Sequence, residues 1–257
     1  MKNVLLFALL FVATATQAQK LPNVQTSSLK APANVKVDGR STEWGDKLQA
    51  YNKATEVAYT LANDASNLYL VIQTADPDII HRIVNGRITL TVNKADKKSE
   101  DNAVAISYPV FEKGNRPGLS LREKLSTPKI ADSLMRTNNR RLETTAKLIK
   151  VTGVSGMDTL ISIYNEKGVK AAAAFDNKML FTCEMAVSLK LLDLPNGKFA
   201  YNVRLNGVSF DDVPGINIVR DAKGEIKSID IHKDQMTSTP QVMTAPTDFW
   251  GEYVLVK

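Results

Sequence analysis

The sequence predicts an all-β chain: an antiparallel β-sandwich of immunoglobulin or jelly-roll kind, carrying a short, partly helical insertion. Three observations lead there. Apolar and polar residues alternate with period two over many short stretches, which sends successive side chains to opposite faces of a strand. Turn-forming residues punctuate those stretches, at Asn63-Asp64, Asn85-Gly86, Asp176-Asn177, Pro195-Asn196-Gly197 and Ala222-Lys223-Gly224. About ten short strands spaced in this way fit a sandwich or barrel better than a parallel α/β sheet.

The chain opens with the basic Met1-Lys2-Asn3, an apolar run from Val4 to Thr14, and the small residues Thr16 and Ala18. That order predicts a secretory signal peptide over 1–18, because the run is too short to span a membrane. The protein is therefore expected to be exported, to the periplasm or the extracellular space. No cysteine follows the run, which argues against a lipid anchor. Residues 19–33 are polar and read as a flexible lead-in, and 34–257 as one sandwich domain.

Leu68-Tyr69-Leu70-Val71-Ile72 is apolar on both faces and predicts a central strand. Ile88, Leu90 and Val92 alternate with Thr89, Thr91 and Asn93, and Phe199, Tyr201, Val203 and Leu205 alternate with Lys198, Ala200, Asn202, Arg204 and Asn206. The same rhythm runs through Met179, Phe181, Cys183, Met185, Val187 and Leu189. Further strands are expected over 55–61, 102–108, 146–152, 159–164, 169–175, 225–231 and 249–256. Residues 112–145 break the rhythm with Gly114, Pro117, Gly118 and Pro128. A helix-compatible run bearing Ile130, Leu134, Leu142, Arg136, Arg140 and Arg141 follows. It reads as an insertion of one or two short helices across an edge or end of the sandwich. Residues 211–224 and 232–247 read as long loops.

Hydrophobic residues at 44% and charged ones at 23% suit a globular domain. A single cysteine, Cys183, leaves no internal disulfide to form, so stability must come from an apolar core. The formal charge is +6, from 33 basic and 27 acidic residues. So small a surplus is either a solvated surface or a preference for acidic partners such as anionic glycans or a membrane surface. No dense basic cluster or recognised motif points to nucleic acid.

Several stretches together resemble a known family. Val37-Asp38-Gly39 followed by Glu43-Trp44 is similar to the opening "V-D-G-x-x-x-E-W" of family 9-like carbohydrate-binding modules, relatives of the DOMON-type β-sandwiches. Tyr59 to Asp64 with Asn67 to Leu70 resembles their next strand pair. Phe181 to Leu194 resembles an "E-x-A-I-P-L-x-L-L" strand and turn, and 197–207 a "G-K-F-x-Y-N-V-R-L-N-G" strand. Asp248 to Tyr253 is similar to the ending of exported Bacteroidetes members of the group. The resemblance implies two antiparallel sheets packed face to face, and non-catalytic recognition of a carbohydrate. Family members clamp a sugar between tryptophans, but Trp44 and Trp250 both lie in motifs that read as structural, so both are expected to pack into the fold.

A sugar site needs an apolar face with fixed donors and acceptors beside it. Asn202, Arg204 and Asn206 share one face of a strand, and Thr182 and Glu184 share a face of the preceding one. If residues 189–198 form a hairpin, these rows lie together as a platform, with Tyr108 or Phe111 for stacking. The alternative is a cross-strand Glu184–Arg204 ion pair on a solvated face. Asn63, Asp64, Asp76 and Asp78 could supply oxygen ligands to calcium, but Asn and Asp are also ordinary turn residues. His81 and His232 lie too far apart in sequence to suggest zinc, and Cys183 reads as a buried apolar residue. Met236 and Met243 near His232 give no pattern for haem. No nucleophile elbow, His-Glu-x-x-His or phosphate loop is present. The expectation is thus a carbohydrate-binding-like module without an enzyme's machinery. A structural or protein-interaction module of the cell envelope is the alternative. A third reading is a glycan-active enzyme using Asp211-Asp212 or Glu184, its site in the insertion or the 211–247 loops.

Overall fold

The computed structural model describes residues 20–45, 48–112, 115–236 and 238–257. The expected signal peptide over 1–18 lies outside the described residues, as does Gly114 of the insertion. In chain order the first half comprises β1 (Ala50–Asn52), β2 (Val57–Asn63), β3 (Asn67–Thr74), α1 (Pro77–Gly86), β4 (Ile88–Asn93), β5 (Val104–Val110) and α2 (Pro128–Thr145). The second comprises β6 (Leu148–Thr152), β7 (Leu160–Ser162), β8 (Val169–Phe175), β9 (Phe181–Ser188), α3 (Leu189–Leu192), β10 (Lys198–Leu205), β11 (Ile216–Arg220), β12 (Ile226–Ile231), α4 (Pro240–Thr244) and β13 (Thr247–Val254).

The strands form an all-β sandwich, as the alternation predicts. Sheet A has the order β1-β2-β3-β9-β8 and sheet B the order β13-β10-β4-β5-β6-β7, every neighbouring pair antiparallel. Between the sheets, Tyr59, Leu61, Leu70, Ile72 and Phe181 of sheet A meet Leu90, Ile106, Phe199, Tyr201 and Val203 of sheet B. The rings of Tyr59 and Phe249 stand 4.8 Å apart, and the Tyr59 and Tyr201 hydroxyls share a hydrogen bond of 3.0 Å. The backbone N–H of Gln25 donates to the Tyr59 hydroxyl at 2.8 Å. Two phenols can therefore sit in an apolar core because each polar tip has a partner.

Sheet A passes to sheet B through α1, a helix where the sequence predicts only the Asn85-Gly86 turn. Asp76 caps it, its Oδ1 accepting from the N–H groups of Asp78 (2.8 Å) and Ile79 (3.2 Å), and Pro77 opens the first turn. Ile79, Ile80, Ile83 and Val84 lie on one face of the helix and join the main core. Among its described residues the insertion holds one helix of 18 residues, α2, with Thr127 as its N-cap. It buries Ala131, Asn138 and Leu142 and packs beside β8, the edge strand of sheet A. The expected loop at 211–224 contains β11, paired with β12 in a separate hairpin, and that at 232–247 contains α4.

A second difference concerns β9 and β10. Their connection is not a hairpin but a crossover from one sheet to the other. In sheet A, β9 is already flanked by β3 and β8 on both edges, so β10 must find its partners, β4 and β13, in sheet B. Leu192 of α3 is buried in the core at this crossing.

The closing strand puts Phe249, Gly251 and Tyr253 inward and leaves Trp250 half-exposed on the outer face of sheet B. Gly251 faces Tyr201 across the ladder, and a Cβ added there would stand 2.3 Å from that ring. Gly251→Ala is accordingly expected to lower the unfolding free energy by about 1–3 kcal/mol, the usual cost of overpacking. Urea denaturation checks this as a lower midpoint at unchanged slope; a midpoint equal to wild type would mean that the ring has room to move.

Candidate functional site

The polar residues singled out from the sequence fall into three separate environments. Asn202, Arg204 and Asn206 lie on the outer face of sheet B; each commits one nitrogen to neighbours, while Asn202 Oδ1 and Arg204 Nε are buried without a partner among the described residues. Asn202 Nδ2 donates to Asp248 Oδ2 at 2.5 Å and to the Phe249 carbonyl at 3.1 Å. Asn206 Nδ2 donates to the Arg87 carbonyl (3.0 Å) and Thr89 Oγ1 (2.9 Å). Arg204 pairs with Glu100 at 2.7 Å, so the expected Glu184–Arg204 ion pair does not form. Tyr108 is 3% exposed in the core, its hydroxyl 3.5 Å from the Ala146 carbonyl, and has no face open for stacking. Phe111 is half-buried against the same core.

Glu184 lies on the outer face of sheet A, in the other sheet from Arg204. It is 1% exposed, yet its carboxylate is not isolated. Oε2 accepts from the backbone N–H groups of Asp38 (3.0 Å) and Gly39 (2.8 Å), and Oε1 from Trp44 Nε1 (2.8 Å). The residues of the "V-D-G-x-x-x-E-W" stretch are thus tied to the strand by one side chain. Gly39 has φ +79°, and a Cβ there would come within 2.6 Å of the Ala173–Ala174 backbone, so the turn can lie flat on the sheet only as glycine. Trp44 meets Tyr69 edge to face at 5.9 Å, and Tyr69 packs with Ala31, Ala62 and Ala186 beneath Leu29, Val35 and Val37. Trp44 is therefore part of the cover over sheet A, as expected of a structural residue.

The acidic turn residues are similarly occupied. Asp64 accepts from Ser66 and Asn67 N–H groups and from the Tyr69 hydroxyl, and Asn63 bonds to Val256 and Tyr253. Asp76 is the α1 cap, while Asp78 pairs with Arg122 and accepts from Ser238 Oγ. Asp211 and Asp212 are paired with Arg220 and Arg116. Met243 is buried against Val208, Val213 and Ile216. Among the described residues no three His, Cys, Asp or Glu side chains gather as a metal would require.

A cleft of about 1150 Å³ brings together residues that no sequence motif links. Its floor is the end of the outer face of sheet A, at Gln73 and Thr182. The segment from Gly39 to Gly45 forms one wall, α2 the opposite wall, and the β8–β9 turn at Phe175 to Lys178 closes one end. Each boundary is fixed. Gln73 Nε2 donates to Ser41 Oγ (2.7 Å) and Thr182 Oγ1 (3.1 Å), joining floor to wall. Asn139 of α2 exchanges two hydrogen bonds with the Phe175 backbone, at 2.9 and 2.7 Å, and so pins the helix to the end of β8. Asp176 Oδ1 accepts from the N–H groups of Lys178 and Leu180, both at 2.8 Å, which shapes the turn.

Into this space α2 directs Asp132, Met135, Arg136, Arg140 and Glu143, residues spaced along one helical face. Arg40 and Lys178 line it from the other segments. The spacing of Ile130, Leu134 and Leu142 signals α2, and Arg136, Arg140 and Arg141 mark it as basic, but nothing local links that run to Gly39, Gln73 or Asp176, which lie far away in the chain. Comparison with family models finds no match, and comparison with curated proteins also finds none.

Burial is the largest influence on Glu184 and pushes its carboxyl up to about 7, against the lowering effect of the Trp44, Gly39 and Asp38 donors. Its ordinary value is 4.5, so between these values the folded chain holds the proton more tightly than the unfolded one. The stability so gained is complete below the lower value and is lost as the pH rises through the upper one. The difference in unfolding free energy between wild type and Glu184→Gln, which cannot titrate, should therefore shrink as the pH rises across that window. Urea unfolding across the window checks it. A difference that grows with pH would mean that the three donors outweigh burial. Glu184→Ala, which orphans all three donors, should cost on the order of 2–4 kcal/mol.

Proposed function

We propose that this chain is an exported, non-catalytic carbohydrate-binding module, of the family 9-like and DOMON-like kind its sequence resembles, and that the cleft between α2 and the 39–45 segment receives the sugar. One observation supports this reading above the others. The cleft is the place where donors and acceptors from four chain segments converge on a cavity large enough for an oligosaccharide. The polar row on sheet B, by contrast, commits a nitrogen of each residue to its own neighbours, and its Asn202 is fully buried. The floor belongs to a sheet and the walls are pinned by side-chain hydrogen bonds, so little ordering remains for a ligand to impose.

A second reading, a protein-interaction module of the cell envelope, draws on the β11–β12 hairpin. Every residue of β12 is exposed, and Val219, Ile226, Ile229 and Ile231 are among the exposed large apolar side chains. The two readings use different surfaces, so one substitution separates them. In a glycan screen followed by calorimetry, a saturable ligand is expected. Asn177→Trp, on an exposed turn at the cleft, should weaken its binding about tenfold or more. A folded chain that binds no glycan would sink the carbohydrate reading and favour the hairpin as the working surface.

A further inference from the structure

Resting on that reading, we infer that the glycan this cleft accepts is acidic, carrying carboxylate or sulfate groups. Arg40, Arg136 and Arg140 line the cleft together with Lys178, all four exposed, and among the described residues none of them forms an ion pair or a side-chain hydrogen bond. Most other arginines behave differently. Arg116, Arg122, Arg204 and Arg220 are each held by a carboxylate, and Arg82 and Arg141 by backbone carbonyls. Unheld guanidinium groups are thus concentrated at one cavity.

The geometry suits anions. Arg136 and Arg140 stand one helical turn apart, about 6 Å along α2, and two like charges at that spacing repel each other mildly. An anion between them would relieve that repulsion. A guanidinium also presents a planar fork that takes a carboxylate or sulfate through two parallel hydrogen bonds. A neutral ligand would strip water from these cations and return no opposite charge.

Acidic side chains are present too, and they narrow the ligand further. Asp132 lies one turn before Arg136 on α2, and Glu143 lies three residues beyond Arg140. Asp176 commits one oxygen to the amides of its own turn. Carboxylates beside guanidinium groups would oppose a ligand that offers charge alone, but they can accept hydrogen bonds from hydroxyls. An acidic sugar supplies both, a charged group for the arginines and hydroxyls for Asp132 and Glu143. Among the described residues the one ring in the lining is Phe175, 4% exposed and closed to stacking bases, so a nucleic acid fits less well, and the apolar face offered to a sugar is that of Met135 and Leu180.

The test is calorimetry on the purified full chain with two matched pairs of probes, polygalacturonate against its methyl ester and dextran sulfate against dextran. Tight binding of the charged member of either pair, and at least tenfold weaker binding of its neutral counterpart, is expected; the pair that responds distinguishes carboxylate from sulfate. The double variant Arg136→Ala/Arg140→Ala should lose at least tenfold in affinity and show a shallower dependence on salt. Its melting temperature should match wild type, as both side chains are exposed; Arg136→Gln/Arg140→Gln serves if it does not. Equal binding of neutral and charged probes, unaffected by the double variant, would overturn the inference while the carbohydrate reading stood. Binding of inorganic polyphosphate as tight as that of the best glycan would overturn it also, as charge without sugar recognition. A folded chain that binds none of the four glycans would remove the carbohydrate reading itself.

Discussion

A carboxylate buried on the outer face of a sheet must be met by donors, and in this chain that requirement organises the surface around it. Glu184 projects from β9 away from the inter-sheet core, and its three donors all come from the segment between Asp38 and Trp44. Meeting them draws that segment down over Ala62, Tyr69 and Ala186, which would otherwise leave an apolar face open to water. The polar contact sets the position, and the apolar cover beside it gains the area. The same segment continues into Ser41 and Gly45, so the wall of the cleft inherits its place from Glu184. Core, cover and cleft are thereby linked through one side chain that touches none of the cleft's own charges.

The residues that carry the family resemblance build the cover, the core and one wall of the cleft, while the opposite wall comes from α2. Asp38, Gly39, Trp44 and Glu184 build the cover, and Tyr201, Gly251 and Tyr253 pack the core. Arg136, Arg140 and Asp132 stand on α2, within the part of the chain where the resemblance is thinnest. A scaffold of this kind can keep its fold while the insertion changes what is recognised, since function resides in the site rather than in the fold.

The sandwich was legible because half-buried strands leave a period-two trace wherever one face meets the core. Phe199 to Leu205 and Ile88 to Val92 are plain examples. The helix α1 carried an equally good trace, Asp76-Pro77 before Ile79, Ile80, Ile83 and Val84, but its acidic and Asn-Gly residues read as turns. Local turn chemistry also cannot tell a hairpin from a crossover. That is why Glu184 and Arg204, twenty residues apart in the chain, were expected on one surface and lie on two sheets. The cleft was beyond the sequence for a related reason. Its walls come from around residues 40, 73, 136 and 176, brought together by Asn139, Gln73 and the course of α2. Periodicity reports which face a residue occupies, never which distant face it will meet.

Cys183 sits between β3 and β8, fully buried, and burial pushes its thiol well above the usual range. A thiol reacts as the thiolate and only where a reagent can reach it. The sulfur faces the core between the sheets and becomes reachable when that core opens. The chain consequently carries a clock for the opening of its core: each sulfur consumed marks one molecule whose interior has been opened, while the intact population stays silent.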